Sequence, residues 1–86
     1  MKTITHTIQD EMGLHARPVG QLVKFLKPYA SNATITSGEK SCDMKKMIAL
    51  MSLGIKHGAV VEISIEGADE DACATAMEAF FAENNI

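Results

Sequence analysis

The residue types that could do chemistry cluster in one hexapeptide, Gly-Leu-His-Ala-Arg-Pro at positions 13–18. A neutral imidazole is a good nucleophile at physiological pH, which makes His15 a candidate phosphoryl acceptor. Arg17, two residues further on, can bind a phosphate through two parallel hydrogen bonds. Pro18 fits only the first turn of a helix, where its missing N–H is not needed, so His15 is predicted to lie at the helix N-cap or just before it.

The start of that helix supplies a third component. The first backbone amides of a helix have no partner within it, and the helix dipole adds about half a positive charge there. Ala16, Arg17 and Pro18 therefore form a predicted phosphate-binding N-terminus. The hexapeptide holds no general base for water, so a phosphohistidine formed here should wait for another acceptor. It predicts a phosphoryl carrier rather than a free-standing catalyst, whereas an isolated His-x-Arg would indicate only a solvated surface pair.

Alternating apolar and polar residues predict the strands that hold this segment in place. The alternation runs through residues 3–8, 33–36 and 61–66, and Gly38-Glu39 offers a tight turn into a short strand at 40–43. Because the strands have one apolar and one polar face, a mostly antiparallel sheet is expected, with helices on one side and solvent on the other.

Apolar residues at helical spacing predict three helices. Their predicted bounds are Ala16 to near Pro28, one or two turns between Asp43 and Gly54, and a start near Asp69. The residues expected on the buried face of the third helix are Cys73, Met77 and Phe80. The order βαββαβα gives an α+β fold class, an open-faced β-sandwich in which a four-stranded, mostly antiparallel sheet carries three helices on one face. Residues 1–86 are expected to form a single domain.

Length and composition exclude several function classes. The chain has 86 residues, a formal net charge of -3, one Tyr, three Phe and no Trp. A nucleic-acid binder is usually basic and offers aromatic rings for base stacking, so no nucleic-acid partner is expected. The apolar runs are too short to span a bilayer, and the N-terminal residues lack the apolar core of a signal peptide. We therefore expect no membrane insertion and a cytoplasmic location.

The remaining metal-ligating residue types are scattered. Cys42 and Cys73 lack the CxxC spacing, which favours free thiols in a reducing compartment. His6 and His57 add no metal-ligand spacing. The sequence therefore predicts neither a metal site nor a cofactor.

Five of the eight basic residues fall in two short segments, 17–27 and 45–46. These residues are Arg17, Lys24, Lys27, Lys45 and Lys46. If the two segments meet in the fold, an acidic protein carries one basic patch. Such a patch suits a phosphate or an acidic protein partner, and it raises association rates.

Over essentially its whole length the chain resembles the HPr family, the histidine-containing phosphocarrier proteins of the phosphoenolpyruvate-dependent sugar phosphotransferase system (PTS). The hexapeptide at 13–18 matches the active-site motif of that family. Met-Ser-Leu-Gly at 51–54 matches the end of its short second helix, and Glu-Gly-Ala-Asp-Glu at 66–70 resembles the start of its last helix. The predicted element order is also that of the family.

The resemblance implies a route for the phosphoryl group. Enzyme I would phosphorylate His15 on Nδ1, with phosphoenolpyruvate as the source, and the group would pass to enzyme IIA components of sugar transporters. Arg17 would neutralise the phosphate. The apolar patch of the second helix, formed by Met47, Ile48 and Met51, would dock on both partners. We expect the carrier to be a monomer.

The chemistry of methionine independently supports a docking role for this patch, because flexible Met side chains adapt to unlike partners. Met and Ile at helical spacing are nevertheless more often core residues. We therefore expect Met44 and Met51 to be at least partly buried, and Met47 and Ile48 to be more exposed.

Two positions depart from the family pattern. Lys46 stands where many members carry a regulatory serine, and lysine cannot replace a hydroxyl that is phosphorylated. Met12 occupies a position where a small polar residue is common.

Two alternative functions are considered. One is a regulatory HPr paralogue that acts through protein contacts, for example in nitrogen-related phosphotransfer, although His15 and Arg17 argue against regulation without phosphate. The other is a small ligand- or RNA-binding sandwich, which would present aromatic or basic residues on the open sheet face. The residues predicted on that face are instead Thr3, Thr5, Thr7, Thr34, Thr36, Glu62, Ser64 and Glu66.

Overall fold

A computed structural model describes all 86 residues, and its elements follow the predicted order βαββαβα. The elements are β1 (Lys2–Thr7), α1 (Ala16–Leu26), β2 (Asn32–Ser37), β3 (Lys40–Asp43), α2 (Met47–Ser52), β4 (Val60–Glu66) and α3 (Glu70–Asn84). The strands form one sheet in the order β1-β4-β2-β3, and all three pairs are antiparallel. The predicted α+β open-faced sandwich is confirmed. None of the helices combines the length and the apolar character needed to cross a membrane.

The core lies between the apolar face of the sheet and the three helices. Ile63 in the central strand β4 is fully buried, and so are Leu22 from α1, Leu50 from α2 and Met77 from α3. Fully burying a side chain of this kind contributes about 1.5–3 kcal/mol relative to leaving it exposed. The core therefore fixes α1, and with it the position of residue 15, against the sheet.

The buried face of α3 differs from the prediction at one position. Cys73 and Met77 are buried as predicted, but the buried phenylalanine is Phe81 and not Phe80. The Phe81 ring stacks on His6 of β1 with ring centroids 4.1 Å apart. Residues 73, 77 and 81 follow the i, i+4 spacing that faces the sheet, whereas residue 80 lies beside this row and its ring stacks on α1.

Helix α2 also begins later than the spacing of its methionines suggested. The Met44 amide donates to the carbonyl of Ala33 at 2.9 Å, which keeps residue 44 beside strand β2. Met44 is fully buried there, ahead of the first helical residue, Met47. Met44 is thus a core residue as expected, but it lies outside the helix.

Candidate functional site

His15 is the N-cap residue of α1, as the position of Pro18 predicted. Its backbone is extended, and its carbonyl accepts the first helical hydrogen bond, from the Val19 amide at 3.1 Å. The amides of Ala16 and Arg17 precede this bond and have no acceptor within the helix. Pro18 is buried and holds the first turn against the core, and it has no N–H that could donate to a ligand. Two free amides therefore directly follow the histidine at the start of α1.

The His15 ring is held at one edge by a residue that the sequence did not single out. Nε2 of His15 lies 3.4 Å from Oδ2 of Asp10, and 27% of the His15 side chain is exposed. Nδ1, on the other side of the ring, has no hydrogen-bond partner in the protein. The ring is therefore partly fixed in orientation, with Nδ1 available to a reactant.

Arg17 shares the same carboxylate. Its Nη2 lies 3.4 Å from Oδ2 of Asp10, and its side chain is 63% exposed. The pKa of Asp10 is held below its ordinary value, chiefly by the hydrogen bond from the Met12 amide to Oδ1, and further by His15 and Arg17. The site thus brings together an imidazole, a guanidinium and an ionised carboxylate.

The loop that carries Asp10 is fixed at both ends. The Gln9 amide donates to the carbonyl of Ile86 at 2.6 Å, and the Leu14 amide donates to the carbonyl of Ile55 at 2.9 Å. Gly13 has a φ of 70°, and a Cβ placed there would lie 2.3 Å from the Ile55 oxygen. Only glycine fits this position, so the loop is built closely against the segment that follows α2.

The residues of the apolar patch on α2 form a continuous exposed surface. Ile48 is 82% exposed, while Met47 and Met51 are 40% and 41% exposed. The expectation that Met51 is more buried than Met47 is wrong. In a helix of only six residues, Leu50 alone occupies the core-facing position, so residues 47, 48 and 51 all reach solvent.

This patch is adjacent to α1, the helix that has His15 as its N-cap residue. A Cβ placed on Gly20 of α1 would lie 3.8 Å from Cε of Met47, so the Met47 side chain crosses α1 at its smallest residue. A partner that covers the patch would therefore also approach the first turns of α1.

The comparisons with known proteins agree with this geometry. The family model described as "PTS HPr component phosphorylation site" matches residues 2–83. The chain belongs to the HPr family. The family comprises phosphocarriers of the phosphotransferase system.

Individual HPr proteins resemble the chain over nearly all its length. A phosphocarrier protein HPr of Lysinibacillus sphaericus is 36% identical, covering 100% of this chain and 98% of the relative. The structure of a Mycoplasma histidine-containing phosphocarrier protein has a TM-score of 0.93 at 31% identity, covering 98% of this chain and 96% of its own. An HPr dimer of Thermoanaerobacter tengcongensis has a TM-score of 0.76 at 31% identity, with coverage of 100% and 99%.

The four lysines of the predicted HPr docking face occupy different environments. Lys24, Lys27 and Lys46 are exposed, and none of them has a carboxylate within ion-pair distance. Lys45 is half-buried, and its ammonium donates to the carbonyl of Tyr29 at 2.9 Å. The first three are therefore free to attract an acidic partner, whereas Lys45 connects the segment before α2 to the segment after α1.

Met12 is the exposed residue closest in sequence to the HPr motif. It is 72% exposed, and its backbone amide donates a hydrogen bond to Oδ1 of Asp10. Asp10 itself carries no signal that sequence reasoning could have used, because its contact with His15 depends on the shape of the intervening loop. A carboxylate five residues before a histidine contacts the imidazole only when the loop between them folds back on itself, and the sequence does not indicate this.

Proposed function

We propose that this HPr-family chain accepts a phosphoryl group on His15 Nδ1 from phosphorylated enzyme I and passes it to enzyme IIA components of sugar transporters. Phosphoenolpyruvate is the source of the group. The observation that carries the proposal is the free Nδ1 of a half-buried N-cap histidine. The free amides of Ala16 and Arg17, and the guanidinium of Arg17, lie within two residues of it.

The arrangement of these groups supports the proposed transfer. The Nδ1 lone pair forms the N–P bond, the bond from phosphorus to the donor breaks, and its electron pair stays with the donor. The helix amides and Arg17 stabilise the charge on the phosphoryl oxygens, as preorganised donors do in other phosphoryl transfers. Asp10 is a poor base for water because its pKa lies below the ordinary value. The phosphohistidine therefore persists until an acceptor protein docks.

The exposed Lys24, Lys27 and Lys46 would attract acidic partners, and the proposed docking face itself consists of Met47, Ile48 and Met51. Enzyme I and enzyme IIA would cover it in turn. We propose that residues 1–86 act as one domain in the cytoplasm. We also propose that the protein is a monomer, because self-association over this face would block both partners. The dimeric Thermoanaerobacter structure makes the oligomeric state worth measuring alongside activity.

One experiment tests the proposal directly. The chain is incubated with enzyme I and phosphoenolpyruvate, and the product is analysed by intact mass and by ³¹P NMR. An acid-labile phosphate that then moves to a sugar-specific IIA domain supports the carrier function. A phosphate that never moves onward favours the regulatory paralogue, and no phosphate with an active enzyme I contradicts the proposal.

Charge reversal at Arg17 is expected to slow transfer strongly. Arg17→Glu replaces a guanidinium by a carboxylate beside the phosphoryl oxygens, and we expect the rate of phosphorylation by enzyme I to fall by at least about tenfold. The rate is measured by quenched-flow with radiolabelled phosphoenolpyruvate. Lys40→Glu makes the same charge change on an exposed lysine of the β2–β3 hairpin and should leave the rate unchanged. Equal rates for all three proteins would remove Arg17 from the mechanism.

A charge placed in the apolar patch is expected to weaken docking without changing the site. Ile48→Asp puts a carboxylate where 82% of an isoleucine side chain is exposed, so folding should be unaffected. We expect KM for the enzyme I reaction to rise by about tenfold, since truncating a central interface residue costs about 1–2 kcal/mol. Thr3→Asp on the open sheet face is the control and should keep the wild-type KM. A wild-type KM for Ile48→Asp would show that partners dock elsewhere.

A further inference from the structure

Asp10 is the one ionised group in contact with both functional side chains of the site. Its Oδ2 lies 3.4 Å from Nε2 of His15 and 3.4 Å from Nη2 of Arg17. Its Oδ1 accepts the Met12 amide at 2.9 Å, so the carboxylate is fixed by its own loop. His57 fixes the same residue from the other side, because its Nδ1 lies 3.3 Å from the Asp10 carbonyl. The carboxylate is thus held in place independently of His15.

We infer that Asp10 is a positioning residue that selects Nδ1 of His15 as the phosphoryl acceptor, an inference that rests on the proposed carrier function. An ionised carboxylate can only accept hydrogen bonds. When the imidazole is neutral, Oδ2 therefore favours the tautomer in which Nε2 carries the hydrogen. In that tautomer the lone pair is on Nδ1, the nitrogen without a protein partner.

The same contact balances the charge that the transfer creates. As Nδ1 forms the N–P bond, Nε2 keeps its hydrogen and the ring acquires positive charge. Asp10 lies against the edge of the ring where Nε2–H is located, and so stabilises that charge. The equivalent arrangement in other proteins, a carboxylate on one nitrogen of a reactive histidine, fixes the tautomer and orientation of the ring.

Arg17 is the second residue that Asp10 holds. In the unphosphorylated protein, Arg17 and His15 contact one carboxylate oxygen, so the guanidinium is kept within reach of the reacting ring. A phosphoryl group on Nδ1 carries more negative charge than Asp10 and offers more oxygens. Arg17 is mostly exposed, so it can turn from the carboxylate to the phosphate without disturbing the core.

Asp10→Asn tests the inference because the side-chain amide has one oxygen, which accepts a hydrogen bond, and one NH₂ group, which donates. The remaining oxygen keeps the bond from the Met12 amide, and the new NH₂ group then faces Nε2 of His15. An NH₂ group donates, so the hydrogen of the neutral ring should move to Nδ1 and block the acceptor. We expect the tautomer preference of His15 to reverse and the phosphorylation rate to fall by about three- to fivefold, as for the loss of one weak charged contact. Long-range ¹H–¹⁵N spectra of histidine-labelled protein report the tautomer.

The control is Glu11→Gln, which makes the same charge change at the next residue. Glu11 is exposed and contacts neither His15 nor Arg17, so its variant should keep the wild-type tautomer and rate. If Asp10→Asn also keeps both while the wild type is phosphorylated normally, the role of Asp10 is overturned. Phosphorylation of the wild type on Nε2 would overturn it as well. A wild type that takes no phosphate instead overturns the proposed function, and the tautomer of the unphosphorylated ring is measured without any donor.

Discussion

His15→Ala is expected to reduce phosphate incorporation from enzyme I to background while the protein stays folded. The imidazole is the only group at the site with a free nucleophilic nitrogen, so its removal leaves no acceptor. The side chain makes no capping hydrogen bond to α1, and its one side-chain partner is Asp10. The free energy of unfolding should therefore change by no more than about 0.5 kcal/mol. Intact mass measures the phosphate, and urea unfolding measures the stability.

The matched control is His57→Ala, which removes an exposed histidine close to the same loop. Nδ1 of His57 contacts only the backbone carbonyl of Asp10, so this variant should still be phosphorylated. Wild-type incorporation in His15→Ala, lost on acid treatment, would mean that another histidine is the acceptor. The loss of phosphate in both variants would point to damage to the loop rather than to loss of a nucleophile.

The parts of the site that the sequence predicted depend on local backbone rules. Pro18 restricts the start of α1, and the restriction places His15 at the N-cap whatever the rest of the chain does. The strands were predictable for a similar reason, because alternation along residues 61–66 follows directly from one buried and one exposed face. Constraints of this kind act between residues only a few positions apart, so they can be recognised in a short stretch of sequence.

The parts that the sequence did not predict depend on contacts between distant segments. Asp10 reaches His15 because Gln9 is anchored on Ile86 and Leu14 on Ile55, and neither anchor is visible in the hexapeptide. Periodicity likewise did not distinguish Phe80 from Phe81, since the residues three and four positions after Met77 both lie on the same face of a helix as Met77. The sheet below, in particular the His6 ring, decides which of the two is buried.

Gly13→Ala is expected to cause the largest loss of stability of any change in the loop. The φ of 70° alone makes alanine unfavourable by about 1 kcal/mol. The new Cβ would also lie 2.3 Å from the carbonyl oxygen of Ile55 and 2.6 Å from Cα of Lys56, which are backbone atoms and cannot turn away. The loop must move to remove this steric clash, and the movement breaks the hydrogen bond from the Leu14 amide to the Ile55 carbonyl. We expect the free energy of unfolding to fall by about 3 kcal/mol or more.

Gly54→Ala separates the two causes, because Gly54 has a φ of 63° but nothing within 4 Å of an added Cβ. Its loss should be only about 1 kcal/mol, the cost of the left-handed backbone. Both variants are compared by urea unfolding, and the phosphorylation rate is measured below the unfolding transition. Gly13→Ala should also phosphorylate more slowly, since its loop carries Asp10 and leads into His15, while Gly54→Ala should not. Equal losses of stability in the two variants would mean that the close approach of Gly13 to Ile55 does not constrain the loop.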